Sequence, residues 1–293
     1  MPAAPDAMAI YKRGYRRYEG SLTGRWTQFM VLPRYGWRRL YQQRLVVLLT
    51  MLACVWPLLC VGFVYLTNHL ELLQGLDPEF KEFIQVDGRF FSIFMYVQGA
   101  CAVFITALAG PSLIAPDLAN NALPLYFSRP LTRWSYALAR LTVIVGMLSV
   151  VTWIPGLLLF GLQVGLAGGW WFGANWTLGA GVVIGFLLWL LVLGLVAMAS
   201  SAYVKWRVVA GAVTLAVFFI LAGVSVMIDQ VFRVTWGHVL DPAWAVNRVW
   251  CTLLGVDPPN GPGAVASMMA LTVFVFLLVL VIERKLRPVD VVR

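Results

Sequence analysis

Six apolar runs, each close to the length of a membrane span, decide what this chain can fold into. They are 45–67, 91–109, 137–167, 178–199, 208–227 and 264–282. A helix needs about 20 apolar residues to cross the hydrocarbon of a bilayer. None of the six contains Asp, Glu, Lys or His, and Arg140, early in the third run, is their one charged residue. Of the 293 residues, 61% are apolar and 12% charged. An average soluble domain has about 25% charged residues, so this chain lacks the polar surface that a soluble core of such apolarity would need. Backbone groups in lipid must be satisfied within the segment, and a helix does that. The sequence therefore predicts an all-α polytopic membrane protein with six transmembrane helices.

Charge placement sets the expected topology. The N-terminal segment, the stretch 110–141, the loop 203–207 and the C-terminal tail together hold 18 basic and five acidic residues. The opposite side holds Lys81, Arg89, Arg233 and Arg248 against eight acidic residues. Cytoplasmic loops carry the Lys and Arg excess, so both termini are expected in the cytoplasm. The net charge of +9 is spread as a topology signal, not as a nucleic-acid footprint. Cys54, Cys60, Cys101 and Cys251 form no CxxC pair, which argues against a metal knuckle or a redox pair.

Residues 1–20 are a small basic cytoplasmic tail. In 21–44, Trp26, Phe29 and Met30, then Trp37, Leu40 and Tyr41, recur at helical spacing, with arginines between them. That pattern predicts an amphipathic helix lying in the membrane interface. On the outer side, Trp170, Trp171 and Trp176 in a short 168–176 loop suggest an aromatic belt. Asp241, Pro242 and Gly255 bracket a short amphipathic helix on or dipping into the outer leaflet before the sixth span. Its apolar stripe is Val246, Val249, Trp250, Leu253 and Leu254. Pro57 and Pro155 predict kinks within spans. Gly161 with Gly165, and Gly181 with Gly185, make GxxxG pairs, read first as packing within one subunit. The C-terminal tail is 283–293.

Between the second and third runs lies a polar stretch with helical patterning of its own, GPSLIAPDLANNALPLYFSRPLTRWSYALARL. Pro116 and Asp117 are expected to open a short helix, with Asp complementing its positive end. Leu118, Ala122, Leu125 and Tyr126 follow at helical spacing, Arg129-Pro130 stops the helix, and Thr132 or Pro130 starts the next. A helix standing on two spans would transmit a push to both.

Chemistry within the chain is sparse. None of the four lysines follows a glycine, as a phosphate-binding loop requires. Both histidines, His69 and His238, fall outside the spans. Ser225 sits in a Gly223-Val224-Ser225-Val226 sequence, but a serine nucleophile needs a base and no span offers one. No catalytic residue, bound cofactor or metal ligand is expected. The interior polar residues Gln98, Thr106, Thr152, Gln163 and Ser225 are candidates for a substrate path; interhelical hydrogen bonding is the alternative reading.

The segment IAPDLANNALPLYFSRPLTRWSYALARL resembles the cytoplasmic loop of ABC-2 type transporter permeases. It has an acidic residue (Asp117), a short amphipathic helix, Ser128-Arg129-Pro130, and then Thr132 and Tyr136 opening the next span. RWTQFMVLPRYGWRRLYQQR resembles that family's elbow helix, and the outer helix before span 6 is similar too. The resemblance implies a permease in a bacterial cytoplasmic (inner) membrane, not itself an enzyme. It would pair with a second permease copy, identical or a close paralogue, and with two copies of a cytosolic ATPase that bind ATP and Mg. Export of an unspecified substrate is the implied activity. A non-transporting mechanotransmitting or scaffold role, with a periplasmic partner, is the alternative. By the same resemblance 110–136 is a coupling loop, with Asp117, Leu118, Asn121, Leu125, Tyr126 and Arg129 as the ATPase-docking residues. Contact with membrane lipids is expected, and contact with nucleic acid is not.

Overall fold

A computed structural model describes residues 25–69, 85–120, 132–204 and 206–286, with the side chains of a few residues near the edges of these segments left out. Among the described residues the chain is helical, and six helices are long and apolar enough to cross a membrane. The chain is thus a multi-pass membrane protein by architecture.

In chain order, α1 spans Arg25–Tyr41, and α2 (Arg44–Ala53) and α3 (Val55–Asn68) together make span 1. Span 2 is α4 (Gly88–Ala109), followed after a turn at Gly110 by α5 (Pro111–Ala119). Span 3 is α6 (Arg133–Ser149) and α7 (Trp153–Ala167). Then come α8 (Gly169–Tyr203), α9 (Arg207–Phe232), a 3-10 turn at Gly237–Leu240, α10 (Pro242–Leu254) and α11 (Ala264–Leu286). The spans found overlap all six apolar runs and extend most of them by a few residues. At the starts of spans 2 and 3 the extension reaches back to a polar cap that hydropathy does not register. Asp87 Oδ1 accepts from the Phe90 N–H at 3.0 Å and starts α4 before its apolar run begins.

The bundle is built around α8. In its most apolar window 72% of residues are buried, against 22% for α9 and 17% for α11. Helices α4, α5, α6, α7, α9, α10 and α11 all pack on it. Small residues explain why. A Cβ on Gly185 would stand 2.7 Å from Trp250 and from Met95, and one on Gly99 2.8 Å from Trp250. The two glycines form a slot for the Trp250 indole, whose Nε1 donates to the Gly185 carbonyl at 2.8 Å. Trp189 Nε1 donates to the Gly99 carbonyl at 3.1 Å, across the same seam.

Three local expectations are corrected. First, the 168–176 segment is helix and not a loop: α8 begins at Gly169. Its 35 residues would extend about 50 Å at 1.5 Å per residue, well beyond the hydrocarbon core. Trp170 and Trp176 are exposed there, but Trp171 turns inward onto Phe160 at 5.5 Å between ring centroids. Second, α10 forms between the expected caps, with Asp241 Oδ1 accepting from the Ala243 N–H at 2.9 Å and Gly255 left-handed at φ 66°. Its apolar stripe, however, is buried against α4, α8 and α11, because the glycine slot admits Trp250. Third, of the two GxxxG pairs only Gly181/Gly185 is packed; a Cβ on Gly161 or Gly165 would meet nothing within 4 Å.

Both proline-bearing spans break, in each case upstream of the proline. Span 1 is interrupted at Cys54 and span 3 at residues 150–152. Helix α1 docks on span 3. Pro33, Gly36 and Leu40 are buried, and Trp37 Nε1 donates to the Val143 carbonyl at 2.9 Å. The Trp37 ring fits because Gly146 has no side chain; a Cβ there would lie 2.5 Å from it.

Candidate functional site

The segment singled out in the sequence begins and ends in the described structure, and its two ends meet. Helix α5 opens with Pro111, so Pro116 is inside it and Asp117 falls in its last turn. This corrects the expectation that Pro116 and Asp117 start a helix. Pro111 already supplies the fixed φ of a first turn, and continuing apolar packing on α8 and α9 carries the helix on. The carboxylate of Asp117 therefore lies at the negative end of a helix and needs other compensation.

That compensation comes from span 3. Thr132 caps α6, its hydroxyl accepting from the Ser135 N–H at 3.2 Å. One turn further, Tyr136 and Arg140 lie four residues apart, on one helix face. The Tyr136 hydroxyl donates to Asp117 Oδ2 at 2.7 Å, and Arg140 Nη2 donates to the same oxygen. The Arg140 guanidinium also sits over the Tyr136 ring, 5.2 Å from its centroid. Asp117 and Arg140 are each 7% exposed, and Tyr136 is fully buried. A buried pair of this kind is strongly destabilised when one partner is removed, by about 3–5 kcal/mol. The arrangement carries no acid–base chemistry of its own. What it can do mechanically is clamp the far end of span 2 to the near end of span 3, across residues 121–131.

Of the expected docking residues, Asp117 points inward into this clamp. Leu118 lies in the last turn of α5, its side chain outside the described set. Asn121, Leu125, Tyr126 and Arg129 lie outside the described residues. In the sequence Tyr136 enters only as part of a motif, and Arg140 only as a charge near a span. Their four-residue spacing, with Asp117 the one acid in 110–141, was the signal that could have paired them.

The five residues proposed for a substrate path are dispersed. Gln98 is fully buried; its Nε2 donates to the Ala53 carbonyl at 3.0 Å and also to the Val151 carbonyl. Thr106 and Thr152 each donate to a carbonyl four residues back in the chain, Ala102 at 2.6 Å and Leu148 at 2.8 Å. Gln163 Oε1 accepts from Asn68 Nδ2 at 2.7 Å. None of the five lines the cleft of about 820 Å³ that opens between α3 and α4. That cleft is walled by Trp56, Leu59 and Phe63 on one side and Phe90, Ile93 and Phe94 on the other, with Asp87 and Arg89 at one end. Phe63 and Phe90 stack across it at 5.4 Å between centroids.

Ser225 has a histidine after all. His238, on the 3-10 turn, brings Nδ1 to 2.9 Å from Ser225 Oγ, and Asp229 Oδ2 lies 3.3 Å from the same nitrogen. The sequence suggested no base because hydropathy places His238 outside the spans; the turn folds it back onto span 5. In a serine relay the nucleophile and the orienting acid sit on opposite ring nitrogens. Here both converge on Nδ1, and Ser225 is fully buried, so the trio forms no relay. It anchors the turn instead: Asp229 Oδ1 also accepts from the Gly237 N–H at 2.6 Å, and His238 stacks on Trp244 at 4.9 Å. Nearby Asp241 has its carboxyl pushed above the usual carboxylate range by burial, opposed by hydrogen bonds from the Trp244 and Ala243 amides and by the charge of His238.

No protein-family model matches the chain, and no curated protein is detectably similar to it.

Proposed function

We propose that this chain is the permease subunit of an ABC-2 type exporter, taking mechanical work from a separate cytosolic ATPase at residues 110–136. The observation that supports this most directly is the buried contact of Asp117 with Tyr136 and Arg140. It joins the two ends of the loop, so a displacement of 121–131 is delivered to spans 2 and 3 together and cannot be absorbed at either junction alone. Helix α5 passes the same displacement to α8, the most buried span, against which it packs. The interior holds no carboxylate at mid-span depth, and proton-coupled transport ordinarily uses such groups; an external motor fits better. In this reading two ATPase copies bind ATP and Mg, a second permease copy completes the pathway, and the assembly sits in a bacterial inner membrane with 1–44 and 283–293 in the cytoplasm.

The test is co-purification. Leu118→Asp, Leu125→Asp and Tyr126→Asp together, placed on the docking face, are expected to abolish association with the partner ATPase while leaving membrane insertion intact. Retained association would sink the docking assignment.

One observation favours a second reading, a mechanotransmitting subunit that moves no substrate. Gln98, Thr106, Thr152 and Gln163 each bond within the bundle, and none of them lines the cleft between α3 and α4. Reconstituted vesicles separate the two: ATPase stimulation by a transported compound supports export, and stimulation only by a periplasmic partner supports mechanotransmission.

A further inference from the structure

The fold brings Arg207 beside a group of arginines that lies far earlier in the chain. Arg34, Arg38 and Arg39 project from the exposed face of α1, Arg44 opens span 1, and Arg207 opens span 5. Arg207 reaches across to α2, its Nη2 donating to Gln43 Oε1. Arg39 stands near enough to Arg207 for the two charges to repel. Among the described residues none of these arginines has a carboxylate within salt-bridge range, and Asp117 is held by Arg140. Like charges brought together without a counter-charge cost free energy, and an anion between them removes that cost.

The surroundings identify the anion. Trp206 is 77% exposed beside Arg207, and Tyr35 and Tyr41 flank Arg38 and Arg39 on α1. Tyr and Trp favour the headgroup level of a membrane. Immediately next to the arginines, Leu45 and Val208 are 65% and 85% exposed at the first turns of two spans. A soluble acidic protein or a nucleic acid would satisfy the arginines and leave these apolar side chains unmatched. A molecule with a phosphate head and acyl tails satisfies both. We propose that this patch, centred on Arg39 and Arg207, is a binding site for the headgroup of an anionic phospholipid of the leaflet on the α1 side. The site is independent of the transport reading. It would hold α1 against both span 3 and the membrane surface.

Native mass spectrometry of the detergent-purified full chain tests it, with dioleoyl-phosphatidylglycerol and dioleoyl-phosphatidylcholine as probes. The wild type is expected to retain phosphatidylglycerol in preference to phosphatidylcholine. Juxtamembrane basic residues are worth about 1 kcal/mol each toward anionic lipid, so R39Q and R207Q should each weaken phosphatidylglycerol binding about fivefold and leave phosphatidylcholine unchanged. Arg233, at the opposite end of span 5, is the control, and R233Q should change neither. Equal loss in R233Q, or unchanged phosphatidylglycerol binding in both R39Q and R207Q, overturns the proposal. So does inorganic phosphate alone raising the unfolding temperature of the wild type but not of R39Q, which would make this a soluble-anion site. Should R207Q fail to fold for want of its bond to Gln43, R39Q decides the matter, because Arg39 is an exposed side chain with no hydrogen bond among the described residues.

Discussion

Pro57 and Pro155, in different spans, each strand the carbonyl four residues upstream, and one side chain between them satisfies both. The stranded carbonyls are those of Ala53 and Val151, and the Gln98 amide nitrogen donates to each. A proline in a helix removes the donor its i−4 carbonyl needs and pushes that carbonyl aside. In a bilayer no water replaces it. Gln98 on span 2 therefore closes the breaks in spans 1 and 3 with its two N–H groups, and ties three spans at one point.

Gln98→Leu should consequently destabilise the protein by about 1–3 kcal/mol, from two interhelical hydrogen bonds in an apolar setting. In a P57A/P155A background the backbone supplies its own donors, so the same change should cost much less. Thermal unfolding of the four proteins in detergent gives the comparison. An equal loss in both backgrounds would show that Gln98 does not serve the proline breaks.

Asp117→Asn keeps the shape of the side chain and removes its charge, leaving Arg140 buried without its counter-ion. We expect a loss of about 3 kcal/mol. D117L combined with R140L removes both charges and should be less harmful than the sum of the two single changes. A double-mutant cycle on unfolding temperature reads the coupling; additive losses would mean that the two groups do not depend on one another.

Gly185→Val should be severe and Gly165→Val mild. A side chain at 185 enters the slot of Trp250 and Met95, whereas one at 165 meets open space. Overpacking of a filled core costs about 1–3 kcal/mol, and loss of the Trp250 bond to the Gly185 carbonyl adds to it. Size-exclusion profiles and unfolding temperatures should separate the two variants. If G165V alone changes the oligomer size, the open Gly161/Gly165 face is an interface between copies.

Asp241 gives a pH dependence with a definite sign. Burial raises its folded-state pKa above the usual value, so the folded chain holds the proton more tightly than the unfolded one. Stability from this group is thus greatest in acid and falls as the pH climbs from the ordinary carboxylate pKa through the raised one. Asp241→Asn, which caps a helix equally well, should flatten that fall and unfold no earlier than wild type at pH 7. Asp241→Ala loses the cap and should cost about 1 kcal/mol at every pH. A wild-type unfolding temperature that rises across this window would reverse the assignment.

The number of spans and the breaks near Pro57 and Pro155 were legible in the sequence alone. So were the Asp241 cap and the short helix before span 6, while Thr132 was one of two candidates to start its helix. Each depends on local chemistry: about 20 apolar residues in a row, a missing backbone donor, or a side-chain acceptor one turn from free amides. Tertiary structure alone decided which polar groups meet. The sequence leaves Gln98 open to path lining or interhelical bonding, and the fold brings two distant carbonyls to it. Asp117 finds its partners, Tyr136 and Arg140, on another span. His238 read as a loop residue until the turn placed it on Ser225. Hydropathy measures each residue against its solvent and is silent on partners across the bundle. In a membrane interior, where an unpaired polar group costs several kcal/mol, those partners determine where each polar side chain points.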